Sequence, residues 1–138
     1  MKGLLETIAN ARKADTELRV LVVDDEPAVR ELLRRWLERW GCRVREASSA
    51  PEAFEMMRDE PASVIFCDIN MPGQSGLWLV QQVRGLWPTT SIIMASAVSN
   101  IEMILECKRA GAVDYVLKPF GREVLHQALR RADVREAA

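Results

Sequence analysis

Arg19-Val20-Leu21-Val22-Val23-Asp24-Asp25-Glu26-Pro27 is the stretch that decides the fold. Val20 to Val23 is a continuous, mostly β-branched apolar run bounded by charge, the pattern of a strand buried on both faces. After Pro27 the apolar residues Val29, Leu32, Leu33, Trp36, Leu37 and Trp40 recur at spacings of three and four, which marks one face of a helix. Asp25 is placed to cap that helix, Pro27 suits its first turn, and Gly41 suits its end.

The same strand-then-helix unit repeats along the chain. Cys42 to Ala47 reads as a more polar strand at or near a sheet edge. Ser49-Ala50-Pro51-Glu52 is a capping box for a helix through Ala53, Phe54, Met56 and Met57. Ser63 to Cys67 is a buried strand ending at Asp68. The turn-rich loop Asn70 to Gly76 follows it, then a helix through Leu77, Leu79, Val80 and Val83. Ser91 to Ala95 is a buried strand ending at Ser96. Ser99-Asn100-Ile101-Glu102 reads as a second capping box, and its helix carries Ile101, Ile104, Leu105 and Ala110 and ends at Gly111. Val113 to Leu117 is the last strand, ending at Lys118-Pro119, and the last helix carries Val124, Leu125, Ala128, Leu129 and Ala132.

Five consecutive β-α units predict an α/β fold: a doubly wound, five-stranded parallel sheet with helices on both faces, because parallel strands need crossover helices. Residues 18–132 supply it. Residues 1–17 lie outside the repeat and read as an N-terminal extension, a helical turn through Leu4, Leu5 and Ile8 or a mobile leader. Residues 133–138 read as a C-terminal tail.

The 138 residues suit one domain. Hydrophobic residues at 49% and charged residues at 28% are the mix of a globular protein rather than a disordered one. Nineteen basic against 20 acidic residues give a net charge of -1, so no global field recruits nucleic acid, and direct nucleic-acid binding is not expected. Cys42, Cys67 and Cys107 form no close pair, which argues against zinc and redox motifs and for reduced, buried thiols in a cytoplasmic protein. The uncharged stretch Gly85 to Ile101 holds too many polar residues for a membrane span, and the N-terminus shows no secretory pattern.

Ligands of an open α/β sheet bind outside the carboxyl ends of its strands, where the strand order reverses. Here those ends carry Asp24-Asp25, Asp68, Ser96 and Lys118. Three carboxylates in one crevice repel, and a hard divalent cation such as magnesium is the usual remedy. Carboxylate, magnesium, lysine and hydroxyl together form a phosphoryl-transfer kit, with a carboxylate able to act as nucleophile. The competing nucleotide sites fail. The turn after the first strand holds no glycine and three acids, against a dinucleotide fold, and there is no GxxxxGK[ST] loop. There is also no GxSxG elbow, and the only histidine, His126, lies within a helical pattern, against a histidine-dependent triad.

With those residues in order, the chain resembles the receiver domain of the two-component response regulator family. The likeness rests on Val20 to Glu26, on Cys67-Asp68-Ile69-Asn70-Met71-Pro72 with Gly76, on Ser96-Ala97, and on Gly111 to Phe120. It implies a flavodoxin-like fold and a phosphorylation-dependent switch rather than a turnover enzyme, with at most self-catalysed phosphotransfer and autodephosphorylation. It implies that Asp68 accepts a phosphoryl group from a sensor histidine kinase or phosphotransfer protein. Asp25 and Asp68 would ligate Mg²⁺ directly, Asn70 through its backbone carbonyl and Asp24 through water. Lys118 would contact the phosphoryl oxygens. Ser96 would be the switch hydroxyl and Tyr115 the aromatic that moves inward with it. The Lys118-Pro119 bond is similar to one that is cis in the family. The resemblance also implies an output surface on the fourth helix, last strand and last helix, available to a homodimer or another partner.

Each residue has a plainer reading. Asp24 and Asp25 alone would be helix caps, Cys67 a small core residue, and His126 an ordinary helix residue. Trp36 and Trp40 report packing, and Arg34, Arg35, Arg39, Arg43 and Arg45 a solvated face or docking patch. The alternative chemistry is a haloacid-dehalogenase-like phosphotransferase. That class places its nucleophile in a DxD motif after the first strand, where this chain has Asp24-Asp25, and usually carries a cap domain for which there is no room.

Overall fold

In the computed structural model, which describes Gly3 and residues 17–137, five strands alternate with five helices. The strands are β1 Arg19–Val23, β2 Arg43–Ala47, β3 Val64–Cys67, β4 Ser91–Ser96 and β5 Asp114–Leu117. The helices are α1 Pro27–Arg39, α2 Ala50–Asp59, α3 Gly76–Leu86, α4 Ile101–Ala110 and α5 Arg122–Ala137. Every strand pairing is parallel, and the order across the sheet is β2-β1-β3-β4-β5. The chain leaves β1 in one direction to reach β2, then returns across it to β3. The reversal therefore lies between β1 and β3. This is the expected doubly wound sheet. The proposed N-terminal turn through Leu4, Leu5 and Ile8 lies outside the described residues.

The two-residue period of a strand divides the core. Val20, Val22 and Phe66 face Leu33 and Leu37 of α1 and Leu125, Ala128 and Leu129 of α5. Leu21, Val23, Ile65 and Met94 face Met57 of α2, Leu79, Val80 and Val83 of α3, and Cys107 of α4. Burial of side chains this size contributes roughly 1.5–3 kcal/mol each. All three cysteines are free and buried. Among the described residues no helix is long and apolar enough to cross a membrane.

Several local expectations need correction. The N-cap of α1 is Glu26, which makes no side-chain cap bond, so Asp25 does not cap the helix. Ser49 does cap α2, taking the Glu52 N–H at 3.3 Å, but Glu52 reaches back to Ser48 rather than to Ser49. For α4 the cap is Asn100, whose side-chain oxygen accepts from Glu102 and Met103.

α4 is also turned the other way. Ile101 and Leu105 are exposed, whereas Cys107 is buried with Met103 and Ala110 packed beside it. Both stripes fit a helical period, and the neighbouring strands choose between them. Leu32 of α1 and Val124 of α5 likewise face solvent. β2 lies at one edge as expected, but β5 forms the other edge, and there only Val116 is buried. α5 runs on to Ala137 through the expected tail, since no glycine or proline interrupts Arg130 to Ala138.

Two arginines act as staples rather than as solvated charges. Arg45 donates to the carbonyls of Met56 and Glu60 where α2 ends, a favourable place for a cation. Arg84 of α3 donates to the carbonyls of Pro88 and Gly111, at 2.6 and 2.5 Å. Gly111 has φ 127°, and a β-carbon there would also press on the Arg84 side chain. Arg34 and Arg35 pair with Glu46 and Glu31. Trp36 of α1 packs on Phe120, just before α5, and Trp40, at the C-cap of α1, packs on His126 of α5, as expected of packing residues.

Candidate functional site

Register places the polar residues. Val23 and Cys67 are paired, so Asp24 and Asp68 leave neighbouring strands side by side at the β1/β3 reversal. The Asp68 N–H continues the ladder onto the Val23 carbonyl, and the Asp24 N–H onto Ala47. Ser96 and Leu117 are paired, and the Lys118 N–H bonds the Ser96 carbonyl at 2.9 Å. Lys118 is thereby aimed back across the sheet edge. The Lys118–Pro119 bond is cis.

Three carboxylates converge. Oxygens of Asp24, Asp25 and Asp68 all lie within 4.8 Å of one another. Asp24 and Asp68 are buried and Asp25 is exposed. Lys118 Nζ lies 2.7 Å from Asp24 Oδ2, 3.6 Å from Asp68 Oδ2 and 3.9 Å from Glu26 Oε1. The strongest lysine contact is thus Asp24, not Asp68. Asp24 Oδ1 accepts the Glu26 N–H at 2.9 Å, and Asp68 Oδ1 accepts the Ile69 N–H at 2.9 Å. Asn70 is exposed in the β3–α3 loop.

The electrostatics follow from burial. Asp68 is pushed above the usual carboxylate range, chiefly by burial and also by Asp24, against opposing contributions from the Ser96 hydroxyl, Lys118 and the Ile69 N–H. For Lys118, burial works downward, but the bonded Asp24 carboxylate and the fields of Asp24, Asp68 and Glu26 prevail and raise it. It carries its charge throughout the neutral range. Burial, reinforced by the charges of Asp68 and Asp24, pushes the Cys67 thiol far up. Cys67 donates to the Asp68 carbonyl and is an inert core group.

A raised carboxyl pKa has a stability consequence of known sign. Between the ordinary value of 3.8 and the raised one, the folded chain binds more protons than the unfolded chain. Stability therefore falls as pH rises through that window. Asp68→Asn is expected to show a higher denaturation midpoint than the parent near neutral pH in EDTA, with the gap closing in acid. A midpoint no higher than the parent's would mean that Asp68 carries no burial penalty.

This donor set fits a hard divalent cation. It is all oxygen, it brings three carboxylates within reach of one ion, and one of them is a buried acid whose ionised form needs a counter-charge.

Ser96 is buried at the end of β4, where its hydroxyl meets Asp68 and accepts the Val98 N–H at 3.3 Å. Tyr115 is half-buried, and its hydroxyl donates to the Val98 carbonyl at 2.5 Å and meets Ser96. Burial pushes this phenol above its ordinary value. The phenol is thus held on the β4–α4 loop, beside Ser96.

Two contributors escaped the sequence reading. Arg30 Nη1 donates to the Asp24 carbonyl at 2.6 Å, and Arg30 Nε lies 3.5 Å from Glu46. No motif marks either residue, and only the packing of α1 over β2 brings them together. By sequence Gly76 belongs to the loop of the family motif; in the fold it opens α3. A β-carbon there would fall on the Asp68 carbonyl oxygen, 2.9 Å from its carbon and 3.0 Å from Cys67 Sγ.

Comparison with known proteins supplies the family. The model of the response regulator receiver domain matches residues 20–130. HoxA, a hydrogenase transcriptional regulatory protein of Cupriavidus necator, is 38% identical over 120 residues, covering 86% of this chain and 25% of HoxA. PilR, a response regulator protein of Pseudomonas aeruginosa, is 36% identical over 116 residues, covering 81% of this chain and 26% of PilR. The chain spans about a quarter of the length of HoxA and of PilR. The solved receiver domain of NtrX from Brucella abortus superposes with a TM-score of 0.79 at 32% identity, covering 83% of this chain and 98% of that one. With the receiver-domain model matching from β1 into the last helix, the chain belongs to the response regulator receiver domains of two-component signalling.

Proposed function

We propose that Asp68 is the phosphoacceptor of this receiver domain, and that Ser96 and Tyr115 carry its phosphorylation state to the surface around α4, β5 and α5. One observation carries the reading. A buried carboxylate of raised pKa sits at the sheet reversal, 3.6 Å from a lysine ammonium and beside two further carboxylates. The family match displaces the haloacid-dehalogenase-like alternative.

An Asp68 oxygen forms a bond to phosphorus while the phosphorus–nitrogen bond of a donor phosphohistidine breaks. The electron pair leaves on the imidazole nitrogen, which takes a proton from solvent. Asp25 and Asp68 would hold Mg²⁺ directly, Asn70 through its carbonyl and Asp24 through water. When bound, that ion neutralises charge on the phosphoryl oxygens. Lys118, now bonded to Asp24, is within a short rotation of a group on Asp68 and supplies a second positive charge. The donor would be a histidine kinase or phosphotransfer protein.

Ser96 links the site to the output. A phosphoryl oxygen on Asp68 competes for the hydroxyl that now meets Asp68 and Tyr115, and so alters the hold of Val98 on the loop before α4. Inverting a two-state population from 1:99 to 99:1 takes about 5.5 kcal/mol of differential contact, and smaller shifts take less. The responding surface is apolar as well as charged, with Ile101 and Leu105 on α4, Leu117 on β5 and Val124 on α5 all exposed. Such a patch suits a homodimer or another protein partner.

With acetyl phosphate and Mg²⁺, intact-mass measurement should show one added phosphoryl group, and none with EDTA. Asp25→Ala should lose most of the magnesium affinity, whereas Lys118→Ala should keep it but fail to switch. Metal binding by Asp25→Ala equal to the parent's would sink the ligand assignment. For the relay, hydrogen exchange with and without beryllofluoride should change across residues 96–122. Changes confined to the surroundings of Asp68 would refute it. Sedimentation of the same samples reads the dimer, and a monomer throughout would assign the surface to a separate partner.

A further inference from the structure

We infer that Arg30, anchored by Glu46, is a positioning residue for the acidic pair: it grips the peptide between Asp24 and Asp25 and thereby directs Asp25 toward the cation. The inference rests on the proposed role of Asp25 and goes beyond it.

The two adjacent acids are held by different means. The Asp24 side chain is fixed twice over, by the Glu26 N–H and by Lys118. Among the described residues, the Asp25 side chain makes no hydrogen bond and no ion pair, and it is exposed. What the fold fixes of its direction is the Cα–Cβ bond, which its backbone sets. That backbone is held by Arg30, whose guanidinium takes the carbonyl of the Asp24–Asp25 peptide at 2.6 Å. Fixing a peptide plane fixes ψ of the residue before it and φ of the residue after it.

Arg30 is itself oriented. Its Nε lies 3.5 Å from Glu46 Oε1, and the other Glu46 oxygen lies 3.2 Å from Arg34 Nη1. Glu46 stands one residue from the end of β2, in register with Val22 of β1. The grip thus spans α1, β1 and β2 at the carboxyl edge of the sheet. Glu46 has a second effect. An unpaired guanidinium beside three carboxylates would compete with a metal ion for their field, and the paired one does so less. A surface ion pair alone would matter little, typically 0–1 kcal/mol of stability. What lifts Arg30 above that is its bond to the carbonyl between two proposed ligand residues. Groups that orient metal ligands typically govern affinity by 10–100-fold when removed.

The test uses Mn²⁺ as the probe, with free Mn²⁺ followed by electron paramagnetic resonance on the chain without any phosphodonor. Arg30→Ala is expected to weaken Mn²⁺ affinity by about tenfold or more. Its maximal labelling rate at saturating Mg²⁺ should stay near the parent's, a shift in half-saturating metal rather than in turnover. Exchange of the Glu26 amide should rise, while the amides of Leu33 and Leu37 in the body of α1 stay protected. Glu46→Gln is expected to show the same pattern more weakly, and it carries the test should Arg30→Ala fold poorly. Asp25→Ala, run in parallel, separates the two readings. If Asp25→Ala loses Mn²⁺ while Arg30→Ala and Glu46→Gln bind as the parent does, the positioning role is overturned and the ligand assignment stands. If Asp25→Ala binds as the parent does, both are overturned. Loss of protection along the whole of α1 in Arg30→Ala and Glu46→Gln alike would make Arg30 a helix-stabilising residue and overturn its positioning role.

Discussion

Asp68→Asn is expected to take up no phosphoryl group from acetyl phosphate under conditions that load the parent chain once. The expectation is all-or-none because the neighbouring acids are poor substitutes. Asp24 is buried, with one oxygen on the Glu26 N–H and the other on Lys118. Asp25 is exposed, and among the described residues no cation pairs with it. Only Asp68 combines a position at the end of β3, burial, a lysine at 3.6 Å and a neighbouring hydroxyl. Asparagine keeps the shape and removes the nucleophilic oxygen. Intact mass, followed by fragmentation of any labelled sample, reads the result. Labelling of Asp68→Asn at the parent's level would remove Asp68 from the role.

The second large effect is expected at Gly76, a residue with no chemistry of its own. Its N–H bonds the Ile69 carbonyl at 2.9 Å, drawing the start of α3 against the end of β3. The Asp68 carbonyl then occupies the space where a side chain would begin. A backbone carbonyl at a strand end cannot swing aside as a side-chain tip can. Gly76→Val should therefore cost roughly 3 kcal/mol, the upper part of the overpacking range. Any folded fraction should be slow to accept phosphate, because relief of the clash displaces Asp68 itself. Gly73→Ala is the contrast: its φ of 83° disfavours a side chain, but nothing would lie within 4 Å of a β-carbon there. It should cost about 1 kcal/mol and leave labelling rates near the parent's. Urea denaturation together with labelling rates measures both. Equal stability of Gly76→Val and the parent would show that the close approach of Gly76 to Asp68 does not constrain the fold.

The response surface illustrates how far periodicity reaches. Of the apolar residues Ile101, Ile104, Leu105 and Ala110, only Ala110 packs against the core, beside Met103 and the buried Cys107, while Ile101 and Leu105 are exposed. A helix of ten residues with apolar groups around much of its circumference carries two usable stripes. Local pattern cannot rank them, because each would bury similar area. The choice falls to the shape of the β4 and α3 surfaces that α4 must cover. Its consequence is functional, since the stripe left outside joins Leu117 and Val124 in an exposed apolar surface.

Local pattern specifies the alternation of strands and helices, the two-sided burial of β1, β3 and β4, and the set of polar residues at the strand ends. Those features are local: a β-branched run, a helical period or a capping residue acts within one element. From strand ends alone it followed that Asp24, Asp25, Asp68, Ser96 and Lys118 share one edge, because parallel strands point the same way. How they are paired depends on the closed fold. Lys118 rests on Asp24 rather than on Asp68, Tyr115 is docked on Val98, Arg30 reaches the Asp24 carbonyl, and Gly76 abuts Asp68. Each of these joins elements distant along the chain, at distances set to tenths of an ångström by register and helix packing. Such distances are properties of the closed fold and are not encoded in the pattern of any one segment.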